Sequence, residues 1–500
     1  MSDSFDSKDD SKQQVKGKAL SAMIWKVAER LSAAIVVIVV QIVLARLLGP
    51  EDFGLIAIVL VFTNLATVLV QCGMNTALVR QDRVTEVDKS TVFWTSSLIS
   101  AVLYAAIFFC APYIESFYGM DGLSAILRVL SLVLFVCSYN SVQVAMLQRE
   151  LNMRAQLIAT LVASALSGTI SIALALVGFG VWALVSQTML QQIFTCICMA
   201  VQVKWHPRLA YSVDSLKRTA GFGWKLLVSS LLHTIYTSIY DLVAGKVFSA
   251  AELGLFSQGK KYPAQAESIL DSAISQVVLP AAARLKGSTD DMRILIKRGL
   301  QMSLTIIAPF MVLLCLNAGP LISILLGEQW IAAAPFFQVF CIASIFTPAT
   351  RINLQCFNAM GRSDIYLRLE VVKKTIAIAL VVIASLAHDL MLMAFVSLIY
   401  SIIAVLINMT PSKTLFEYGI LRQFCDLFPP ICLAVLAGLL GLIPFAFVQN
   451  NILQLVFVTI VFCTSYIFLS ELWKPDSYIY SRNQFLRLAG KIMTRKKGQV

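Results

Sequence analysis

Charge and histidine are scarce in this 500-residue chain: 14% of its residues are Asp, Glu, Lys or Arg, and three are histidine. Ordinary soluble domains carry roughly 25% charged residues, because their outsides must be covered with polar groups. A chain that is 58% hydrophobic, with a mean hydropathy of +0.79, cannot cover itself in this way. A soluble enzyme, a nucleic-acid module and a disordered scaffold are thereby excluded. His206, His233 and His388 are too few to build a conventional metal or triad site, so no catalytic or metal residue is assigned. The eleven cysteines contain no CxxC pair, and Cys196 and Cys198 lack a His or Cys partner at metal spacing. All of them except Cys425 lie inside apolar runs, where they read as small packing residues. No Gly-Lys-Ser/Thr phosphate loop of the Walker type is present, and no cofactor is implied.

The chain does contain long apolar runs. A bilayer core of ~30 Å needs ~20 apolar residues per helix. That period marks spans near 22–47, 55–79, 91–112, 123–146, 156–178, 180–203, 224–248, 260–284, 300–322, 332–355, 371–388, 391–411, 428–448 and 452–472. The expected fold is therefore an all-α integral membrane protein of about fourteen transmembrane helices. The segment 260–284 is the least apolar of them.

Residues 1–18 are polar, with no apolar core before a cleavage site, and read as a cytosolic tail rather than a signal peptide. With that tail in the cytosol, all but five of the 40 Lys and Arg residues fall in or beside cytosolic segments. The five are Arg46, Arg128, Lys246, Lys260 and Lys261. This is the positive-inside pattern, and it accounts for the net charge of +12 without nucleic acid. The basic end around Lys491, Arg495, Lys496 and Lys497 can also touch anionic lipid. An even number of spans places both termini in the cytosol. The expected divisions are a tail at 1–18, a first lobe at 19–203, a cytosolic linker at 204–222 and a second lobe at 223–412. Two further helices at 413–472 and a basic tail at 473–500 follow. The outer loops are too short for an extracytosolic domain.

An internal repeat supports the two lobes. The end of the first span, Leu44 to Leu55, returns two hundred residues later as Ala244 to Leu255. Arg46 then matches Lys246, Asp52 matches Glu252, and Gly54 matches Gly254. A weaker echo pairs Asn140 and Arg149 with Asn353 and Arg362 at an offset of 213. Six spans per half is an even number, so the halves run in the same sense, about an axis along the membrane normal. Gly54 and Gly254 are expected at tight turns between helices.

The segments LARLLGPEDFGLIAIV, ILLGEQWIAAAPFFQVF and FSAAELGLFSQGKK resemble the polysaccharide-exporter branch of the MOP flippases. This is the Wzx-type group of O-antigen, colanic acid and succinoglycan exporters. The resemblance covers about residues 18–470. It implies two six-helix lobes around a central cavity that opens alternately to either side, an undecaprenyl-linked oligosaccharide as cargo, and a lumen lined by cations.

Ionisable groups inside apolar helices are expensive unless they meet water or a partner, so they are the candidate site. On the eighth span Lys260, Glu267, Asp271 and Ser275 advance by seven, four and four and share one face. Gln265, Ser268, Ser272 and Gln276 widen it. Glu267 and Asp271 would repel if both were ionised, which suits proton exchange or, alternatively, a structural network with nearby cations. On the seventh span Ser229, His233, Tyr236 and Tyr240 step by four, three and four, and Asp241 follows. Tyrosine faces can stack on sugar rings. The expected ion- or proton-coupling residues are Asp241, Glu267 and Asp271. Under the resemblance, Arg30, Arg46, Arg128, Lys246, Lys260 and Arg351 are the expected cargo cations, suited to phosphate oxygens, with Asn140, Asn353, Tyr236 and Tyr240 as polar contacts. Snorkelling toward headgroups is the competing reading for the cations.

The leading expectation is a flippase for a lipid-linked oligosaccharide in a bacterial inner membrane, driven by an ion or proton gradient. Its partners would be that lipid, the membrane and the polymerase and chain-length machinery. A cationic-drug antiporter of the MATE branch, a membrane polymerase or ligase and a structural assembly protein are the alternatives.

Overall fold

A computed structural model describes residues 35–71, 73–81, 83–285, 288–480 and 482, with all their side chains except those of 222, 225, 271–277, 279, 280 and 363. The described residues form helices joined by short turns, as a lipid solvent requires: every backbone N–H and C=O must find its partner within the chain. The first helices are α1 (Ile35–Leu47), α2 (Pro50–Gln71), α3 (Met74–Arg80), α4 (Glu86–Tyr118), α5 (Leu123–Leu130), α6 (Val133–Arg149), α7 (Met153–Leu176), α8 (Val181–Val203) and α9 (Val213–Val247). There follow α10 (Ala250–Arg284), α11 (Thr289–Leu316), α12 (Ala318–Leu325), α13 (Ala334–Ser344), α14 (Thr347–Ala359) and α15 (Ser363–Ser385). The last are α16 (Leu390–Phe416), α17 (Ile420–Gly441) and α18 (Asn451–Trp473).

Eleven helical segments among the described residues are long and apolar enough to cross a membrane, and α1 is a shorter apolar helix. The helices α10 and α15 are not among the eleven. Both carry interior charge: Lys260, Lys261, Glu267 and Asp271 on α10, and Glu370, Lys373 and Lys374 on α15. The fold is thus the expected all-helical membrane fold, with the count of fourteen spans not established.

Contacts divide the chain into two compact units, Met1–Gly254 and Leu255–Val500. In the first, α7 pairs with α8 through a stripe of small buried residues, Ala159, Ala163, Ser167 and Ser171. Lipid tails are as apolar as leucine, so such helices associate by close packing rather than by escaping water. A Cβ on Gly168 of α7 would stand 2.4 Å from Val40 Cγ2 of α1, so that approach needs glycine.

The start of α4 is fastened to the segment between α8 and α9. Thr85 and Asp88 form a capping box, satisfying free N–H groups at the α4 N-terminus. Asp88, 2% exposed, also accepts from Ser215 Oγ at 2.5 Å and Arg218 Nη2 at 3.0 Å on α9. Trp205 Nε1 donates to Glu86 Oε2 at 2.9 Å, and Trp94 Nε1 to the Arg208 carbonyl at 2.9 Å. Ser90 Oγ and Thr91 Oγ1 accept from the amides of Arg208 and Ser212. This connection and α9 therefore pack within the first unit, α9 against α2.

In the second unit the core is a stripe of α11, Ile296, Leu300, Leu304, Ile307 and Met311, against α14, α16 and α17. Phe357 and Phe416 stack across it with ring centroids 5.8 Å apart. Asp426 of α17 ties the core to α11, accepting from Lys297 Nζ at 3.1 Å and Gln301 Nε2 at 3.0 Å.

Candidate functional site

The repeated corners come first, because they position the ends of four helices. Asp52 Oδ2 accepts from the Gly49 amide at 3.2 Å, and Glu252 Oε2 from the Ser249 amide at 3.0 Å. Each acid thus caps the amide three residues before it, at the N-terminal end of α2 and of α10, where carboxylate charge is favoured. The glycines two positions on lie inside those helices, which corrects the expectation of tight turns. Their role is close approach: a Cβ on Gly54 would stand 1.8 Å from the Ala250 carbonyl oxygen, and one on Gly254 1.9 Å from that of Pro50. The two helix starts therefore cross backbone to backbone.

Two of the expected cargo cations are held by α4. Arg128, at the end of α5, donates from Nε to the Phe108 carbonyl at 3.1 Å, with its guanidinium 4.3 Å from the Phe108 ring centroid. Lys246, at the end of α9, donates to the Phe117 carbonyl, with its ammonium 4.3 Å from the Phe117 ring centroid. A cation over an aromatic face is attracted by the ring quadrupole, and the carbonyl adds a hydrogen bond. Both keep solvent exposure, Lys246 more than Arg128. Arg46, Lys246's counterpart in the repeat, is exposed at the end of α1, and Arg30 lies outside the described residues.

The other expected residues are dispersed. Tyr240 is buried on α9, with Tyr236 and Asp241 partly buried on the same helix. Asn140 of α6 carries a buried Oδ1 without a hydrogen bond. Its repeat counterpart Asn353, 0% exposed, is fully engaged. Its Nδ2 donates to Gln423 Oε1 at 3.1 Å and to the Ala349 carbonyl, and its Oδ1 accepts from Ser412 Oγ at 2.7 Å. Glu267 Oε2 accepts from Ser344 Oγ of α13 at 2.6 Å. Asp271 lies in α10, and its side chain is outside those described. Lys260 is partly buried on α10, and Arg351 is exposed on α14 within electrostatic range of Glu370 and Lys373.

Arg46, Arg128, Asn140, Tyr236, Tyr240, Asp241 and Lys246 thus fall in the first unit, and Lys260, Glu267, Asp271, Arg351 and Asn353 in the second. Among the described residues no group of three His, Cys, Asp or Glu could hold a metal ion. Outside the membrane, Arg362 grips Asp364 through two hydrogen bonds of 3.0 Å and holds its carboxyl down at about 2. That pair stays ionised at any neutral pH and orients the start of α15.

Sequence reasoning missed two features. Lys373, 5% exposed, sits between Leu369 and Ala377 on the buried stripe of α15 and pairs with Glu370 at 2.5 Å. Its signal was a lysine in register with apolar residues four before and four after it. The second is the run Gln258, Tyr262 and Gln265 on α10, of which only Gln265 was placed on the polar face and where three buried polar atoms lack a hydrogen bond. Its signal was polar residues at steps of four and three, a narrower line than the one chosen.

Comparison with known proteins places this geometry. Residues 43–335 match the family described as polysaccharide biosynthesis protein. The succinoglycan biosynthesis transport protein ExoT of Rhizobium meliloti is 23% identical over 309 residues, 62% of this chain and 63% of that protein. The teichuronic acid biosynthesis protein TuaB of Bacillus subtilis is 24% identical over 305 residues, 61% of this chain and 63% of that one. The chain thus matches somewhat under two thirds of the length of these relatives. The lipopolysaccharide biosynthesis protein WzxC of Escherichia coli is 21% identical over 372 residues, 73% of this chain and 75% of that one. Among solved structures, the lipid II flippase MurJ in an inward closed conformation superposes with a TM-score of 0.74 at 14% identity, covering 91% of this chain and all of that one. An inward-facing MATE family transporter of the MOP superfamily gives 0.59 at 17% identity, over 78% of this chain and 99% of that one. The fold is that of the MOP superfamily transporters, and the chain belongs to the polysaccharide biosynthesis protein family.

Proposed function

We propose that the protein is a flippase for an undecaprenyl-diphosphate-linked oligosaccharide, acting in a bacterial inner membrane during surface polysaccharide synthesis, with both termini in the cytosol. The observation that carries this reading is the family match over residues 43–335 on a MOP transporter fold. That match favours the flippase over drug antiport, for which the same fold also serves. The lobes at 19–203 and 223–412 would open alternately to the two faces of the membrane.

A diphosphate in a membrane cavity needs cations. Arg30, Arg46, Lys260 and Arg351 are the candidates, with Arg128 and Lys246 as cations whose α4 contacts must loosen before they bind. Asp241, Glu267 and Asp271 are the candidate coupling groups. Glu267 already accepts from Ser344, so a change in its protonation would alter the seating of α10 on α13. The polymerase and chain-length machinery would receive the cargo. Deletion of the gene in its host, followed by mass spectrometry of lipid-linked intermediates, tests the reading. Completed oligosaccharide on undecaprenyl diphosphate should accumulate while surface polymer is lost. Unchanged intermediates with new sensitivity to cationic drugs would favour the antiporter instead.

A further inference from the structure

Helix α10 presents two very different flanks. One is packed: Phe256 meets the rings of Phe336 and Phe340 at 5.7 and 5.4 Å, and a Cβ on Gly259 would stand 2.8 Å from Phe336 Cβ. The other carries Gln258, Tyr262 and Gln265, at steps of four and three, hence on one narrow line. Gln258 is 3% exposed, and Tyr262 and Gln265 are partly buried. Yet Gln258 Oε1, Tyr262 Oη and Gln265 Oε1 are buried without a hydrogen-bond partner. Buried polar atoms in proteins are nearly always paired, and leaving one unpaired is costly. Three on one line of one helix are a systematic cost, of the sort retained where a ligand later supplies the partners.

The chemistry of that ligand follows from the atoms. The unpaired amide oxygens only accept, so a ligand that satisfies them must donate; a phosphate diester or a carboxylate could meet only the amide NH2 groups and the phenol O–H, and an isoprenoid chain none of them. Hydroxyl groups donate and accept, which also suits the phenol. The line covers ~10 Å of helix, too long for one water molecule. Tyr262 at its centre brings an aromatic ring, which sugar rings can lie against. Ala264 and Ser268, beside Gln265 around the helix, are exposed, so one end of the line is open.

We infer that Gln258, Tyr262 and Gln265 form a glycan-reading strip that binds the hydroxyl groups of the oligosaccharide, separately from whatever holds the diphosphate. This rests on the flippase reading and assigns its sugar selectivity to α10. The strip is a recognition element, and it moves no proton.

The test uses the full-length protein in nanodiscs, with native mass spectrometry of two retained probes. One is undecaprenyl diphosphate bearing the oligosaccharide, extracted from the deletion strain; the other is undecaprenyl diphosphate without sugar. In Gln258→Leu/Gln265→Leu, retention of the glycosylated lipid should fall at least tenfold while the bare lipid is held as by wild type. Tyr262→Phe should give a smaller loss in the same direction. The ligand-free melting temperature of the double variant should equal or exceed that of wild type, since unpaired buried atoms are removed. Unchanged retention of the glycosylated lipid overturns the strip and leaves the flippase reading standing. Equal loss of both lipids with a lower melting temperature also overturns it, showing a structural role. Wild type that retains neither lipid overturns the flippase reading and the strip together.

Discussion

Gly54 and Gly254 interlock reciprocally: each lies where a Cβ would strike the carbonyl oxygen of the residue opening the other's helix, Ala250 at 1.8 Å and Pro50 at 1.9 Å. The sequence repeat at an offset of two hundred thus becomes a physical crossing. Gly54→Ala and Gly254→Ala should each force the helix starts apart, at about 1–3 kcal/mol for overpacking, and lower transport more than tenfold. Gly49→Ala, with nothing within 4 Å of its added methyl, should leave both unchanged. A cysteine pair engineered across the crossing, assayed for cross-linking in membranes, would show whether the contact parts during transport.

Arg128 and Phe108 make a separable pair. If their contact is structural, Arg128→Leu and Phe108→Leu should each cost about 1 kcal/mol. The double variant should lose less than the sum, by about 0.5–1 kcal/mol in a double-mutant cycle. A cargo contact would behave differently: Arg128→Leu would abolish transport, while Phe108→Leu would leave it intact.

Asp88 gathers the capping box, Ser215 and Arg218 in one buried carboxylate. Asp88→Ala should cost about 2–3 kcal/mol, the sum of a lost cap and orphaned buried donors. Ser215→Ala should cost about 1 kcal/mol. Limited trypsin digestion reads the effect directly, because Lys204 and Arg208 lie in the segment that α4 holds; cleavage there should accelerate in Asp88→Ala first.

Asn140 and Asn353 match in the repeat but differ in surroundings. Asn353→Leu strands Gln423 and Ser412 and should destabilise the second unit by about 2–4 kcal/mol. Asn140→Leu removes an oxygen that has no partner and should be neutral or stabilising. Melting temperatures of the two variants, compared in the same detergent, check this contrast.

The all-helical membrane fold and most of its apolar helices were legible because a bilayer imposes its thickness on every crossing helix. The corner acids were legible as well: Asp52 and Glu252 cap the same positions two hundred residues apart. Side-chain rotation was not, since neighbouring helices set it. That is why the sequence offered Arg128 and Lys246 as candidate cargo cations without showing the α4 aromatic rings on which both are seated, and why Asn353 gave no hint of its closed network. The glycines were misread for a related reason: a Gly after an acidic residue suggests a turn, and only the facing helix shows that bare backbone was needed. The line through Gln258, Tyr262 and Gln265 was available in the spacing, but its signal became clear only once those atoms were seen buried and unpaired.

The central claim is translocation of a lipid-linked oligosaccharide, and proteoliposomes test it most directly. Purified protein is reconstituted with undecaprenyl-diphosphate oligosaccharide loaded in the inner leaflet, and a membrane-impermeant lectin reports glycan reaching the outer surface. The account predicts that an imposed proton or sodium gradient speeds glycan exposure in wild type, and that Gly54→Ala or Gly254→Ala slows it more than tenfold. Exposure at the rate of protein-free liposomes, in a preparation that binds the lipid, would contradict it.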